Sequence, residues 1–153
     1  MEDKSSSVQA LIHVLLEEAD LIDELRDAVV EQRESIKSGD YVVMQDLMKH
    51  VQDIFFHVQA QETQRVRLAD SAAQKFGCES CLSALSRAVL EEERTLFTGA
   101  GERLRHSIFA LKSEMIILSG LIEQNERFSA MLLSEWRRLD AGFMRSGGLD
   151  FRG

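Results

Sequence analysis

Two cysteines, in the order Cys78-Glu79-Ser80-Cys81, are the first residues in this 153-residue chain whose type and spacing could do chemistry. That spacing serves a dithiol redox pair or half of a tetrahedral zinc site. Zinc needs two further ligands, and the four histidines (His13, His50, His57 and His106) are scattered singly. A thioredoxin-like pair belongs in a βαβ setting, of which this sequence carries no pattern. The expectation is two thiols packed at the start of a short helix.

Other candidates for chemistry fare no better. His50 and His57 stand two helical turns apart, each four residues after an aspartate (Asp46 and Asp53). A di-metal helical bundle would show paired Glu-x-x-His segments, so these residues are expected to form helix-surface hydrogen bonds or ion pairs. Gly99-Ala100-Gly101 lacks the lysine and hydroxyl residue of a phosphate loop, and no strand precedes it. It is expected to loosen the start of a helix. No serine, histidine and acid are arranged for nucleophilic catalysis. The sequence therefore predicts no catalytic residue, no metal and no cofactor.

The elements that would position any site are helices. Proline is absent and glycine is limited to 9 residues, too little punctuation for many short strands. The net charge is −8, with a sequence pI near 5.0. Eleven acids against four bases fall within residues 1–40, whereas residues 126–153 carry four acids and five arginines. An acidic chain is a poor match for nucleic acid or an anionic membrane surface. The start, Met1-Glu2-Asp3, lacks the basic segment of a signal peptide, and the nearly apolar stretch from Met115 to Ile122 falls far short of the roughly 18 residues a membrane helix requires. A cytoplasmic chain with reduced thiols is expected.

Val8, Leu15, Ile22, Val29 and Ile36 recur every seven residues. Leu11, Ile12, Ala19 and Leu25 fill the same face, and the acids are assigned to the remainder. This first helix is expected to end at Ser38-Gly39-Asp40, with aspartate capping the next. A second helix runs from Tyr41 to Phe76 on Met44, Val51, Val58 and Ala72, interrupted by Glu62 and Arg65, and stops at Gly77. A short piece, roughly Ser80 to Leu90, buries Leu82, Leu85 and Val89. The longest pattern follows: Leu104, Ile108, Leu111, Met115, Leu118, Ile122, Asn125, Ser129, Leu132, Trp136, Leu139, Phe143. Its steps alternate four and three without a break, as along a coiled-coil seam. The fold class expected is all-α, an elongated antiparallel bundle of three long helices plus one short crossover helix. Residues 1–142 would form one domain and 143–153 a flexible tail.

The last helix also carries more apolar surface than one seam can bury: Phe109, Ile116, Ile117, Leu121, Phe128, Met131 and Leu133. Either the bundle covers these residues or they form a stripe for a partner helix. Asn125 at a seam position fixes register or serves a partner.

These residues resemble the FlgN family of flagellar export chaperones. The similarity lies in Glu31, Ile36, Gly39-Asp40, Leu47, Arg65 and Leu68, then Phe76-Gly77 with Leu82 and Leu85, and finally Leu121-Ile122-x-x-Asn125-x-x-Phe128. The resemblance implies a non-enzymatic cytoplasmic chaperone that holds the terminal helical segment of a hook-junction (hook-associated) protein before type III export, with the export gate or its ATPase as a further partner. The final helix would supply the binding face, through residues among Leu118, Leu121, Ile122, Asn125, Phe128, Leu132, Leu133, Trp136 and Phe143. The competing reading is a homo-oligomeric coiled-coil module, such as a homodimer through its last helices. A weaker third reading is a thiol or metal sensor at Cys78 and Cys81. On the chaperone reading, replacing both cysteines with serine leaves the thermal melt and partner binding nearly unchanged. Stoichiometric zinc in the purified protein, lost with stability in that double variant, would overturn this expectation.

Overall fold

The seven-residue apolar spacing of the first segment comes out as one continuous helix. A computed structural model describes residues 2–146 of the chain, with the side chains of residues 3–125 and 130–142. Its helices are α1 (Glu2–Ser38), α2 (Tyr41–Phe76), α3 (Leu82–Ala88), α4 (Glu91–Gln124) and α5 (Glu126–Ser146). Val8, Leu15, Ile22, Val29 and Ile36 are all buried. At 1.5 Å per residue, α1 and α2 each extend about 55 Å. Gly39 and Gly77 take left-handed backbone angles, φ 71° and φ 66°, which cost a glycine little and stop each helix where the sequence says it should stop. Asp40 caps α2 by accepting the Val43 backbone N–H at 3.1 Å.

Polar cross-links show how the helices run. Lys75 bonds Asp3 at 3.0 Å and Gln61 bonds Glu17 at 2.8 Å, so α2 returns antiparallel to α1. His50 also reaches across to Glu24 of α1, at 3.9 Å. Ser5 bonds Glu93, Arg103 reaches Asp20 and Asp23, and Arg33 meets Glu114 at 2.6 Å, so α4 runs parallel to α1. The principal packing joins α1 to both α2 and α4. Helix α3 lies against α2 and α4 with Leu85 buried, and Arg94 fastens it by donating to the Ser86 and Val89 carbonyls. Cys81 is the N-cap residue of α3, and the Ser83 hydroxyl beside it lowers its thiol pKa. Cys78 packs against the core.

Three expectations change. The unbroken step from Leu104 to Phe143 does not form one helix. Asn125 adopts φ −122°, ψ 95°, its N–H tightening onto the Ile122 carbonyl, and α5 turns back onto α4 and α2. The arrangement is therefore four long or medium helices and one short, a four-helix bundle over the half of the molecule that α5 covers. Burial drives the reversal, because it places Leu132 and Leu139 inside the core. Second, Gly99-Ala100-Gly101 lies within α4, which begins eight residues before Gly99 on Glu91, Glu92 and Glu93, acids that suit a helix N-terminus. Third, the acids of α1 are not all solvated, since Glu18 is fully buried. Of the tail expected from residue 143, helix α5 takes in positions to Ser146, and 147–153 lie outside the described residues.

Glu18 occupies the second apolar row of α1, seven residues from both Leu11 and Leu25. Opposite it on α2 stand Glu62 and Arg65, also buried. Arg65 donates two parallel bonds to Glu62, at 2.9 and 2.8 Å, and its Nε lies 3.7 Å from the Glu18 carboxyl. One guanidinium faces two carboxyls, and the bidentate pair satisfies Glu62 first. Burial, then the neighbouring Glu62 carboxylate, push the Glu18 pKa from 4.5 up to about 10, against the pull of Arg65. Glu18 is therefore a neutral acid in the folded protein at pH 7. A group raised in this way contributes stability that is full below pH 4.5 and declines as pH rises towards 10, a loss of roughly 3 kcal/mol by pH 7. Glu18→Gln mimics the neutral acid at every pH. Its melting temperature should exceed the parent's at pH 8 to 9 and approach it near pH 5; parallel melting curves across that range would refute the assignment. Arg65→Leu leaves two buried carboxyls without their cation and should cost about 3–5 kcal/mol in a denaturant titration.

Candidate partner-binding site

The residues expected to bind a partner fall on the end of α4, the joint and α5. Leu118, Ile122 and Leu132 are buried in the core, and Leu121, Leu133 and Trp136 are half-buried against it. Asn125 forms the joint itself. The side chains of Phe128 and Phe143 lie outside the described residues. The structure thus brings most of the expected residues together, but on the inward side of the fold.

The inner face of α5 is set by helical spacing. Leu132, Glu135, Trp136 and Leu139 point to one side and share a small internal space with Val29 and Gln32 of α1 and Met115 and Leu118 of α4. Gly142 continues that face. A Cβ placed there would run into the Phe55 ring of α2, so glycine lets α5 come this close to α2. Sequence reading passes over Glu135, Gly142 and Gln32. The available signal is register: 135 and 142 are seven apart and flank the Leu132–Leu139 stripe, while Gln32 follows Leu25 by seven.

This face is less well satisfied than the rest of the core. The Glu135 carboxylate is buried, facing Gln52 and meeting Arg138 at 3.9 Å. Burial raises its pKa, and Arg138 and Gln52 offset this only in part. Trp136 Nε1 is buried with no hydrogen-bond acceptor among the described residues, a defect costing about 1–3 kcal/mol. The seat of α5 is a compromise.

Outward, α4 leaves apolar side chains uncovered. Phe109 and Ile116 are 72% and 70% exposed, seven residues apart on the side away from α1, with Ile117 beside them and Met131 on α5 also exposed. Of the surplus residues on this arm, the bundle covers Leu121 and Leu133 in part and leaves these four in water. Among the described residues there is no cluster of three metal-ligating side chains and no helix long and apolar enough to cross a membrane. What the arm presents is uncovered apolar surface.

No curated protein and no solved structure matches the chain. Residues 1–145 match the family described as FlgN protein, which spans all five helices up to the last residue but one of α5. With that match along nearly its whole length, the chain belongs to the FlgN family of flagellar export chaperones.

Proposed function

We propose that this protein is a cytoplasmic, non-enzymatic chaperone of flagellar type III export that binds the terminal helical segment of a hook-junction protein until delivery. The observation that carries this reading is the α4–α5 arm, which bears apolar residues on both an inner and an outer face, of which the bundle uses only the inner. An amphipathic segment free in the cell would aggregate through its stripe, and a helix-in-groove complex hides that stripe. The cargo contacts are drawn from Leu118, Leu121, Ile122, Asn125, Phe128, Leu132, Leu133, Trp136 and Phe143. The net charge of −8 keeps the empty chaperone soluble despite Phe109 and Ile116 at its surface. Delivery would then bring it to the export gate or its ATPase.

The test is a calorimetric titration of the full chain with a synthetic peptide of the terminal helix of a hook-junction protein from the same organism. One-to-one binding is expected. Trp136→Ala should weaken it about 30-fold, the effect of losing about 2 kcal/mol at an interfacial tryptophan. A folded chain that binds no such peptide and sediments as a dimer would overturn the chaperone reading in favour of a homo-oligomeric coiled-coil module.

A further inference from the structure

The apolar stripe and the backbone disagree at Asn125. Leu118, Ile122, Asn125, Ser129, Leu132, Trp136, Leu139 and Phe143 keep their four-three step straight through the joint. Two helices separated by a reversal need no common phase, because each turns its apolar side inward independently. A common phase matters only when both form one helix with one stripe. The sequence therefore fits two backbones: the reversal present here, and a continuous helix in which α5 extends α4 by its 21 residues, about 32 Å. A single non-helical residue separates them. Asparagine suits that position, since its side chain favours caps and turns, yet a helix interior accepts it far more readily than proline.

The two covers of the α2–α4 groove differ in how they are held. Helix α3 is tied at both ends, by the Gly77 turn and by the Arg94 bonds to its last carbonyls. Helix α5 is linked to α4 through the single residue Asn125, and it seats a buried carboxylate and an unpaired indole N–H against the groove. Removing it leaves the α1–α2 and α1–α4 contacts in place.

Resting on the chaperone reading above, we infer that α5 is an intramolecular stand-in for cargo: in the empty chaperone it fills the groove between α2 and α4, and the cargo helix displaces it there. The occupant's chemistry follows from the helix it replaces. It is an amphipathic helix with apolar residues at the spacing of Leu132, Trp136 and Leu139, and a small residue where Gly142 meets Phe55. Its charge is neutral to slightly basic, as in residues 126–146, where four arginines accompany three acids. A second copy of the chain is the poorer occupant, since it brings −8 against −8. Displacement also explains how Leu118, Ile122 and Leu132, buried in the empty protein, become available to a partner. The freed α5 then extends α4 and carries Leu132 and Trp136 out of the core into one continuous stripe with Leu118 and Ile122, so that they remain contacts of the cargo helix.

Trp136 is the sole tryptophan, so its emission reports the seat of α5 directly. Gly142→Leu, a position outside the cargo contacts, should drive α5 from Phe55. The free variant is expected to show red-shifted emission and to bind the hook-junction peptide about tenfold more tightly than the parent. As a second measurement, spin labels at Lys49→Cys and Ser134→Cys, in a chain carrying Cys78→Ser and Cys81→Ser, should move apart by more than 15 Å (about half the α5 length) when peptide saturates the protein. Peptide binding with an unchanged label distance would overturn displacement while leaving the chaperone reading intact, and this holds even if Gly142→Leu fails to fold. A Gly142→Leu variant that dimerises instead of gaining peptide affinity would make the second copy the occupant and overturn the inference. Absence of binding by parent and variant alike would remove the chaperone reading and the inference with it.

Discussion

Helix α1 has to bury against two neighbours at once, and most of the architecture follows from that demand. Packing on α2 and α4 together requires a wider apolar arc than a single seam, so α1 presents one row through Val8, Leu15, Ile22, Val29 and Ile36 and another through Leu11, Glu18, Leu25 and Gln32. The second row is not fully apolar. Its Glu18 meets Arg65 and Glu62 near the middle of the bundle, where a slip of α2 by one heptad would set the guanidinium against Leu11 or Leu25. The Arg65–Glu62 pair lies on α2 and would move with it, so a slip would leave that pair and the neutral Glu18 acid each buried against apolar side chains without a polar partner across the seam, which is expensive. The polar layer thus fixes where α2 sits along α1, while the apolar rows on either side provide the burial.

On the far side of that core, α2 and α4 leave a groove that needs covering at both ends. Helix α3 closes one end with Leu85 and α5 closes the other with Leu132 and Leu139. The chemistry of the two closures is unequal. Around α3 the carbonyls at its end have a donor in Arg94, whereas the inner face of α5 carries Glu135 and Trp136 with incomplete partners. Native cores rarely leave such groups unsatisfied, and those that persist are found where structure must change or bind.

Most helix boundaries were legible because local chemistry sets them: Gly39 with Asp40, and Gly77, act within a few residues of the turns they make. The heptads of α1 and α2 were legible for the same reason, since each repeat is decided by its own helix. The break at Asn125 was not. Nothing near it forces a stop, and the step of the stripe continues; the gain comes from burying Leu132 and Leu139 against residues far away in sequence. Glu18 and Glu135 were hidden because a carboxylate in a chain this acidic reads as solvated, and only register with distant leucines marks it as inward. Gly142 was hidden because its use depends on Phe55, which approaches from another helix. At the candidate site the residue types were legible, but not which of their faces the fold covers.

The proposed stand-in role ties these features to the needs of a carrier. A chaperone for an amphipathic segment must keep a groove ready without exposing it, and must also let its cargo go. A tethered helix competes with cargo at an effective concentration of the order of millimolar. The apparent affinity for cargo is then the intrinsic affinity reduced by the fraction of open chaperone. An ideally packed α5 would hold the groove shut, and an absent one would leave Leu118 and Met115 in water and bind cargo too tightly to release. The buried Glu135, the unpaired indole of Trp136 and the single-residue joint at Asn125 all weaken the closed state without abolishing it. Once cargo leaves, return of α5 to its seat would oppose rebinding, so the same defects that let cargo enter leave a helix at hand to replace it.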